Sequence, residues 1–173
     1  MDRIHSKHGF TLFEIMIAVA CIAVLAGIAI PSYLAYRDRA TLAKAISDIV
    51  KIEAALTEYM QRMDDFPLTL ADVGLSGLKD PWGNPYEYWP ITGDNHQKVR
   101  KDRNLHPINT DFDLYSKGKD GNTALALTAK ASQDDIIRAN NGDYLGLASN
   151  YGYSPGLGGN KDPNSSAKDK QTK

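Results

Sequence analysis

One apolar run near the start of the chain constrains its fold more than any other feature. The run extends from Phe10 to Ile30 and contains a single charged side chain, Glu14. A helix of about 20 residues spans roughly 30 Å, which is the thickness of the hydrocarbon core of a bilayer. A carboxylate costs about 2.5 to 3.5 kcal/mol at mid-depth and less near the interface, so it needs a positive partner there. The sequence therefore predicts a membrane-spanning helix in which Glu14 has a function.

The residues around Glu14 form a continuous pattern, with residues 7–14 reading KHGFTLFE. This pattern resembles the prepilin signature of type IV pilins and type II secretion pseudopilins. The resemblance implies that a prepilin peptidase cuts between Gly9 and Phe10, that Phe10 is then N-methylated, and that Glu14 guides subunit docking. The partner of Glu14 would be the freed amine of Phe10 on a neighbouring subunit. An ordinary signal anchor with an incidental acid is the alternative.

The only cysteine, Cys21, lies inside the apolar run, so no disulfide can form within one chain. The stretch from Ala18 to Cys21 loosely imitates a lipobox, and lipidation would change the mode of membrane attachment. In a lipoprotein a polar tether should follow the cysteine, whereas Ile22 to Ile30 stays apolar. We therefore interpret Cys21 as a small apolar residue of a membrane helix.

The charges of the chain exclude one class of partner and leave the orientation open. A net charge of -1 gives no electrostatic reason to expect nucleic-acid binding. Basic residues both precede and closely follow the apolar run, so the positive-inside rule does not determine the orientation. A globular domain outside the inner membrane, in the periplasm, is what the resemblance implies.

Past the apolar run the sequence predicts a second, amphipathic helical segment over 31–63. Pro31 removes one backbone hydrogen bond and crowds the carbonyl of Gly27, so we expect a kink or local melt there. The resemblance implies that this region unwinds during filament assembly, which makes Gly27 and Pro31 candidate assembly residues. Apolar residues from Leu42 to Met63 recur at helical spacing and predict a stripe that packs on a sheet.

The remaining sequence predicts a small α+β domain. Two prolines and a Gly-Asn pair between Asp80 and Tyr88 form a dense turn signal that leads into an aromatic strand over 86–89. A turn of this form resembles that of the major pseudopilin of type II secretion, where aromatic residues pack the sheet against the helix; here these are Trp82 and Tyr86. Further strands are predicted over 111–115 and 144–148, and a capped helical turn over 132–138.

These elements predict the following organisation. Residues 1–9 are a cleaved leader, 10–30 a membrane and filament-core helix, and 31–63 an amphipathic helix. Residues 64–154 form a periplasmic globular domain around that helix, and 155–173 are a disordered tail. The fold class is α+β and type IV pilin-like, with a long N-terminal α-helix packed on a small antiparallel β-sheet and a C-terminal loop region.

A basic run over 98–103 lies within a polar connection over 92–109. We interpret this connection as a solvated loop, because charge runs usually face water. A surface for a partner subunit or an acidic lipid headgroup is the alternative.

The resemblance to the major pseudopilin branch also implies a Ca²⁺ site in the loops after the second strand. Asp120 corresponds to the acid of the glycine-rich turn, and Asp134 or Asp135 to the acid that precedes an isoleucine. Calcium takes six to eight oxygen ligands, which carboxylates and turn carbonyls can supply. The alternative is that Asp120 forms the turn while Asp134 and Asp135 cap a helix.

The function implied is that of a structural subunit rather than an enzyme, since the sequence contains no nucleophile elbow, P-loop or dinucleotide fingerprint. The subunit would wait in inner-membrane lipid and polymerise with identical copies into a pseudopilus that drives protein export across the outer membrane. Its other partners would be the prepilin peptidase, minor pseudopilins and the inner-membrane assembly platform. The alternatives are a surface type IV pilin or minor pilin, and a membrane-anchored periplasmic binding module or enzyme.

Overall fold

The computed structural model describes residues 10–92 and 98–152. The predicted leader, the cleavage-site residue Gly9 and the predicted tail beyond 154 lie outside the described residues. Contacts divide the chain into two units, with the boundary between Ala40 and Thr41.

The longest element is helix α1, Leu12–Met63, which belongs to both units. It begins after Thr11, whose side chain and that of Glu14 cap the first turn. It ends at Met63, where Asp64 adopts a left-handed backbone with φ 57° and donates its N–H to the carbonyl of Met60. Glu14 in the first turn and Arg62 in the last turn carry the charges that the helix dipole favours at those ends.

Pro31 lies inside α1 without interrupting it, so the expected local melt is absent from this protomer. The proline ring crowds the carbonyl of Gly27, four residues earlier, and leaves that carbonyl without a backbone N–H donor. Ser32 donates its hydroxyl to the next carbonyl, that of Ile28, at 3.1 Å. Unwinding during assembly stays a prediction.

In the second unit the described residues form one antiparallel sheet of four strands, which are β1 Glu87–Pro90, β2 Phe112–Ser116, β3 Ile136–Ala139 and β4 Tyr144–Leu147. The strand order is β1-β2-β3-β4. Tyr88 pairs with Leu114, Tyr115 with Ile137, and Ile137 with Gly146. The predicted strands over 86–89, 111–115 and 144–148 are thus confirmed to within a residue or so.

The predicted helical turn over 132–138 is wrong. A short 3₁₀ turn occupies Lys130–Ser132, and Ile136 and Ile137 start strand β3. Ser132 does not cap a helix, because its hydroxyl exchanges hydrogen bonds with the backbone of Ala124. The two isoleucines favour a strand over a helical turn. Consecutive side chains of a strand point to opposite faces of the sheet, and both faces are apolar here.

The sheet has a buried cluster on each face. The helix-side cluster contains Ala45, Ile49, Ile52 and Leu56 of α1 together with Tyr86, Phe112, Leu114 and Ile136. The opposite cluster contains Ile108, Tyr115, Leu127, Ile137, Ala139 and Ala148. The predicted stripe of α1 is therefore confirmed as far as Leu56, while Met63 beyond it is 59% exposed.

The second cluster corrects the interpretation of 92–109 as a solvated loop. Val99, Arg100 and Asp102 are buried, as are Ile108 and Asn109. The segment after residue 97 therefore lies against the sheet face that the helix leaves open. Residues 93–97 of the same connection are outside the described residues.

Candidate functional site

The N-terminal candidate site is the first turn of α1. Glu14 accepts hydrogen bonds through Oε2 from the backbone N–H and the hydroxyl of Thr11, both at 2.8 Å. The N–H of Glu14 in turn donates to the Thr11 hydroxyl at 3.2 Å. This reciprocal arrangement holds the carboxylate at the helix N-terminus, on a turn that is exposed on every side. Phe10, which precedes it, is 85% exposed.

The apolar half of α1, from its start to Ile30, is exposed within its own unit. All residues from Phe10 to Ile30 are exposed except the partly buried Ala26. The helix contains a segment long and apolar enough to cross a membrane, and none of that segment is buried inside the protein. An uncovered apolar surface of this length needs lipid or neighbouring apolar helices around it.

The turn between Asp80 and Tyr88 is organised by the Asp80 carboxylate. Its Oδ1 accepts the N–H groups of Trp82 at 3.0 Å and Asn84 at 2.8 Å, and its Oδ2 accepts the hydroxyl of Ser116 at 2.5 Å. Asn84 then donates its side-chain amide to the carbonyl of Gly118 at 2.9 Å. The turn is thereby tied to the loop that follows β2.

The same turn anchors the sheet on the helix, as the sequence predicts. Tyr86 is buried in the helix-side cluster, and Trp82 packs against that cluster. The hydroxyl of Tyr86 donates to Oδ2 of Asp48 in α1 at 3.3 Å. Burial and the negative charge of Asp48 raise the pKa of Tyr86, so it remains a neutral donor.

The structure brings two of the three predicted calcium ligands close together. Asp120 donates its backbone N–H to Oδ2 of Asp134 at 3.0 Å, and its own Oδ1 accepts the N–H of Asn122 at 2.7 Å. Gly118 has φ 65° and lies against the backbone of Asp134, so a Cβ at this position would overlap the Asp134 carbonyl. The glycine-rich turn and the segment before β3 are thus one packed substructure.

Asp135 faces a different environment. It is fully buried, and its Oδ2 accepts hydrogen bonds from the Arg100 guanidinium and the Thr123 hydroxyl, both at 2.6 Å. Burial raises the pKa of Asp135, although the hydrogen bond from Thr123 and the charge of Arg100 act in the opposite direction. The expected acid of the metal site is therefore already paired with a cation that belongs to the chain.

The three carboxylates do not fit a shared calcium site in this arrangement. Among residues 10–92 and 98–152, no group of three or more His, Cys, Asp or Glu side chains is placed to hold a metal ion. One carboxylate oxygen, Oδ1 of Asp135, is buried without a hydrogen-bond partner in that part of the chain. This oxygen belongs to the same carboxylate that binds the Arg100 guanidinium, and the positive charge of that group disfavours a second cation beside it. Calcium binding itself stays a prediction.

Sequence reasoning missed Arg100, because a basic run next to polar residues is typical of solvated loops. The available signal was Val99, an apolar residue in the middle of that run. Val99 and Arg100 are in fact 1% and 2% exposed.

The fold and the N-terminal segment together define the class of protein. A capped apolar helix with a lone glutamate in its first turn continues into an amphipathic half that packs on an antiparallel sheet. This is the arrangement of a type IV pilin-like subunit. The family described as the prokaryotic N-terminal methylation motif matches residues 4–30.

Curated relatives identify the branch. The chain is 33% identical to type II secretion system core protein G of Vibrio cholerae over 110 residues, which covers 51% of this chain and 74% of that protein. It is 32% identical to the protein of the same name from Pseudomonas aeruginosa over 139 residues, covering 66% of this chain and 85% of that protein. The Escherichia coli protein of this name is 33% identical over 109 residues, covering 50% of this chain and 74% of that protein. The chain belongs to the type II secretion system core protein G family.

No solved structure matches the chain at a significant level.

Proposed function

We propose that this protein is a structural subunit of a type II secretion pseudopilus. Prepilin peptidase cuts it between Gly9 and Phe10, Phe10 is methylated, and the subunit then polymerises from the inner membrane. The observation that carries this proposal is the methylation motif together with the apolar half of α1, which is not buried inside the protein. A structural subunit that exchanges lipid for neighbouring helices needs a surface of this kind.

The role proposed for Glu14 follows from its surroundings. In the protomer the Glu14 carboxylate accepts two hydrogen bonds from Thr11. Within the described residues it forms no ion pair with a basic side chain. Hydrogen bonds at a helix N-terminus stabilise a carboxylate only in part once water is excluded. The methylated amine of Phe10 on the next subunit supplies the missing charge, so docking in the correct register removes an electrostatic penalty.

The proposed location is the inner membrane, crossed once by α1, with the globular domain in the periplasm. Its partners are further copies of itself, the prepilin peptidase, minor pseudopilins, the inner-membrane assembly platform and membrane lipid. The membrane-compatible helix and the family support this arrangement.

Two alternatives have less support. A surface type IV pilin usually carries a C-terminal cysteine pair, whereas the sequence contains Cys21 alone. A membrane-anchored enzyme or binding module is disfavoured by relatives whose name describes a core component of a secretion system. A non-catalytic role is consistent with that family.

The processing step is tested by mass spectrometry of the mature N-terminus, after expression with a prepilin peptidase. We expect a first peptide that begins at Phe10 and carries one added methyl group. A mature chain that begins at any other residue would refute the proposed cleavage.

The assembly step is tested by comparing Glu14→Ala with Glu58→Ala, a matched loss of an exposed glutamate in the same helix. We expect both variants to insert into membranes and to be cut by the peptidase. Glu14→Ala should reduce the yield of sheared or cross-linked filaments by at least tenfold, whereas Glu58→Ala should leave it unchanged. Equal filament yields from the two variants would contradict the docking role of Glu14.

A further inference from the structure

Arg100 is a fully buried cation that joins its own segment to three other parts of the chain. Its guanidinium donates to Oδ2 of Asp135 and to the hydroxyl of Thr123, both at 2.6 Å. Its Cζ lies 4.3 Å from the centre of the Tyr115 ring in β2. Its backbone N–H donates to Oδ2 of Asp113 at 2.5 Å.

These contacts close the loops on the sheet face that α1 does not cover. Asp135 lies directly before β3, Thr123 lies in the loop after β2, and Arg100 lies in the segment before β2. Without the guanidinium, the buried Asp135 carboxylate would keep a single hydroxyl donor, that of Thr123. A buried carboxylate in that state is costly, so the pair must form for the three segments to pack together.

A bound metal ion and this guanidinium cannot share Asp135 at low cost. Oδ2 already accepts two short hydrogen bonds, and a divalent ion at Oδ1 would lie within a few ångströms of a positive charge in a medium that screens charge poorly. Of the neighbouring acids, Asp134 accepts the backbone N–H of Asp120 and Asp120 accepts that of Asn122, each through one carboxylate oxygen.

We propose that the Arg100 guanidinium is the internal cation that closes the loop region of this protein, so that its folded state does not depend on a divalent metal ion. The proposal disagrees with the calcium site that the sequence resemblance implies. It does not rest on the pseudopilus function, because it concerns the stability of one subunit.

The first test needs no variant. The full chain is purified in detergent micelles, and its thermal unfolding is followed by tryptophan fluorescence with a chelator and with excess CaCl₂. Calcium present at 100 times the Kd of its site would raise the Tm by roughly 11 °C. We expect the two melting curves to coincide, and a Tm that falls on chelation would overturn the proposal.

The second test compares Arg100→Met with Arg103→Met, a matched loss of an exposed arginine from the same segment. We expect Arg100→Met to lower the Tm by at least about 12 °C and to open the loop region to protease, since one partner of a buried ion pair is lost. Arg103→Met should change neither property. Equal melting temperatures for the two variants would overturn the proposal.

The third measurement keeps the test decisive if Arg100→Met is too unstable to purify. Adding Asp135→Asn removes the uncompensated carboxylate, so the double variant should melt at a higher temperature than Arg100→Met alone. If Arg100→Met cannot be obtained, recovery of folded protein by the second substitution supports the pair. A double variant that is no more stable than the single one would argue against it.

Discussion

Arg138 is the residue whose substitution tests the packing of helix on sheet most directly. Arg138 is a residue of β3, and its side chain is 3% exposed. It donates from Nε to Glu53 of α1 at 2.7 Å and makes a two-pronged contact with Asp111 at 2.7 and 2.8 Å. Its Cζ also lies 4.1 Å from the centre of the Phe112 ring. We expect Arg138→Met to keep most of the alkyl packing and to lose every polar contact.

The expected loss is about 3 kcal/mol in the free energy of unfolding. Removing one partner of a buried ion pair costs about 3 to 5 kcal/mol. Glu53 and Asp111 are 24% and 22% exposed, so water can compensate part of their charge and the lower value applies. For a folded unit of roughly 100 residues, 1 kcal/mol corresponds to about 4 °C, which gives a drop in Tm of about 12 °C.

The assay is thermal unfolding of the full chain in micelles, followed by tryptophan fluorescence. Arg62→Met is the matched control, because Arg62 faces Glu58 across 3.8 Å with both side chains more than half exposed. An exposed pair of this kind contributes about 0 to 1 kcal/mol, so its loss should lower the Tm by less than about 4 °C. If Arg138→Met melts within error of Arg62→Met, the polar contacts of Arg138 do not hold the helix to the sheet.

Three further predictions follow from single side chains. Gly118→Ala should destabilise the protein by at least 2 kcal/mol more than Gly77→Ala in urea unfolding, because both have positive φ but only Gly118 lies against the backbone of Asp134. Asp80→Ala should cost about 3 kcal/mol in the same assay, since three hydrogen bonds to its carboxylate are lost, while Asp80→Asn should retain part of them. Burial acts to raise the pKa of Asp48, but hydrogen bonds and charges from two lysines outweigh it and lower the pKa. The charged Asp48 carboxylate therefore stabilises the fold above about pH 4, and this contribution is lost as the pH falls through the lowered pKa. In Asp48→Asn, the free energy of unfolding should consequently fall less steeply as the pH is lowered below about 4.

The sequence predicts the local features of this fold well because their causes are local. The end of α1 at Met63 and the turn at Asp80 each depend on residues within four positions of one another. Helical periodicity likewise predicts which face of α1 is buried as far as Leu56. Such signals are written in adjacent residues and need no knowledge of the rest of the chain.

The features that sequence reasoning missed depend on distant residues. Asp134 and Asp135 after Ser132 have the composition of a helix start, yet β3 forms there because Ile136 fills one cluster and Ile137 the other. Arg100 belongs to a charge run, yet its partner Asp135 lies 35 positions away. Neither outcome can be inferred from spacing, because both require knowing that a second face of the sheet has to be covered.

The uncovered half of α1 also limits the route by which a subunit can leave the membrane. From Phe10 to Ile30 it carries twelve large apolar side chains that are at least 49% exposed. At about 2 kcal/mol each, moving them into water would cost on the order of 20 kcal/mol, more than the 5 to 15 kcal/mol that holds a typical domain folded. Extracting a subunit alone into water would therefore cost more free energy than unfolding it. In the proposed assembly we expect extraction and addition to the polymer to be one continuous transfer, in which each apolar side chain leaves lipid as a neighbouring helix covers it.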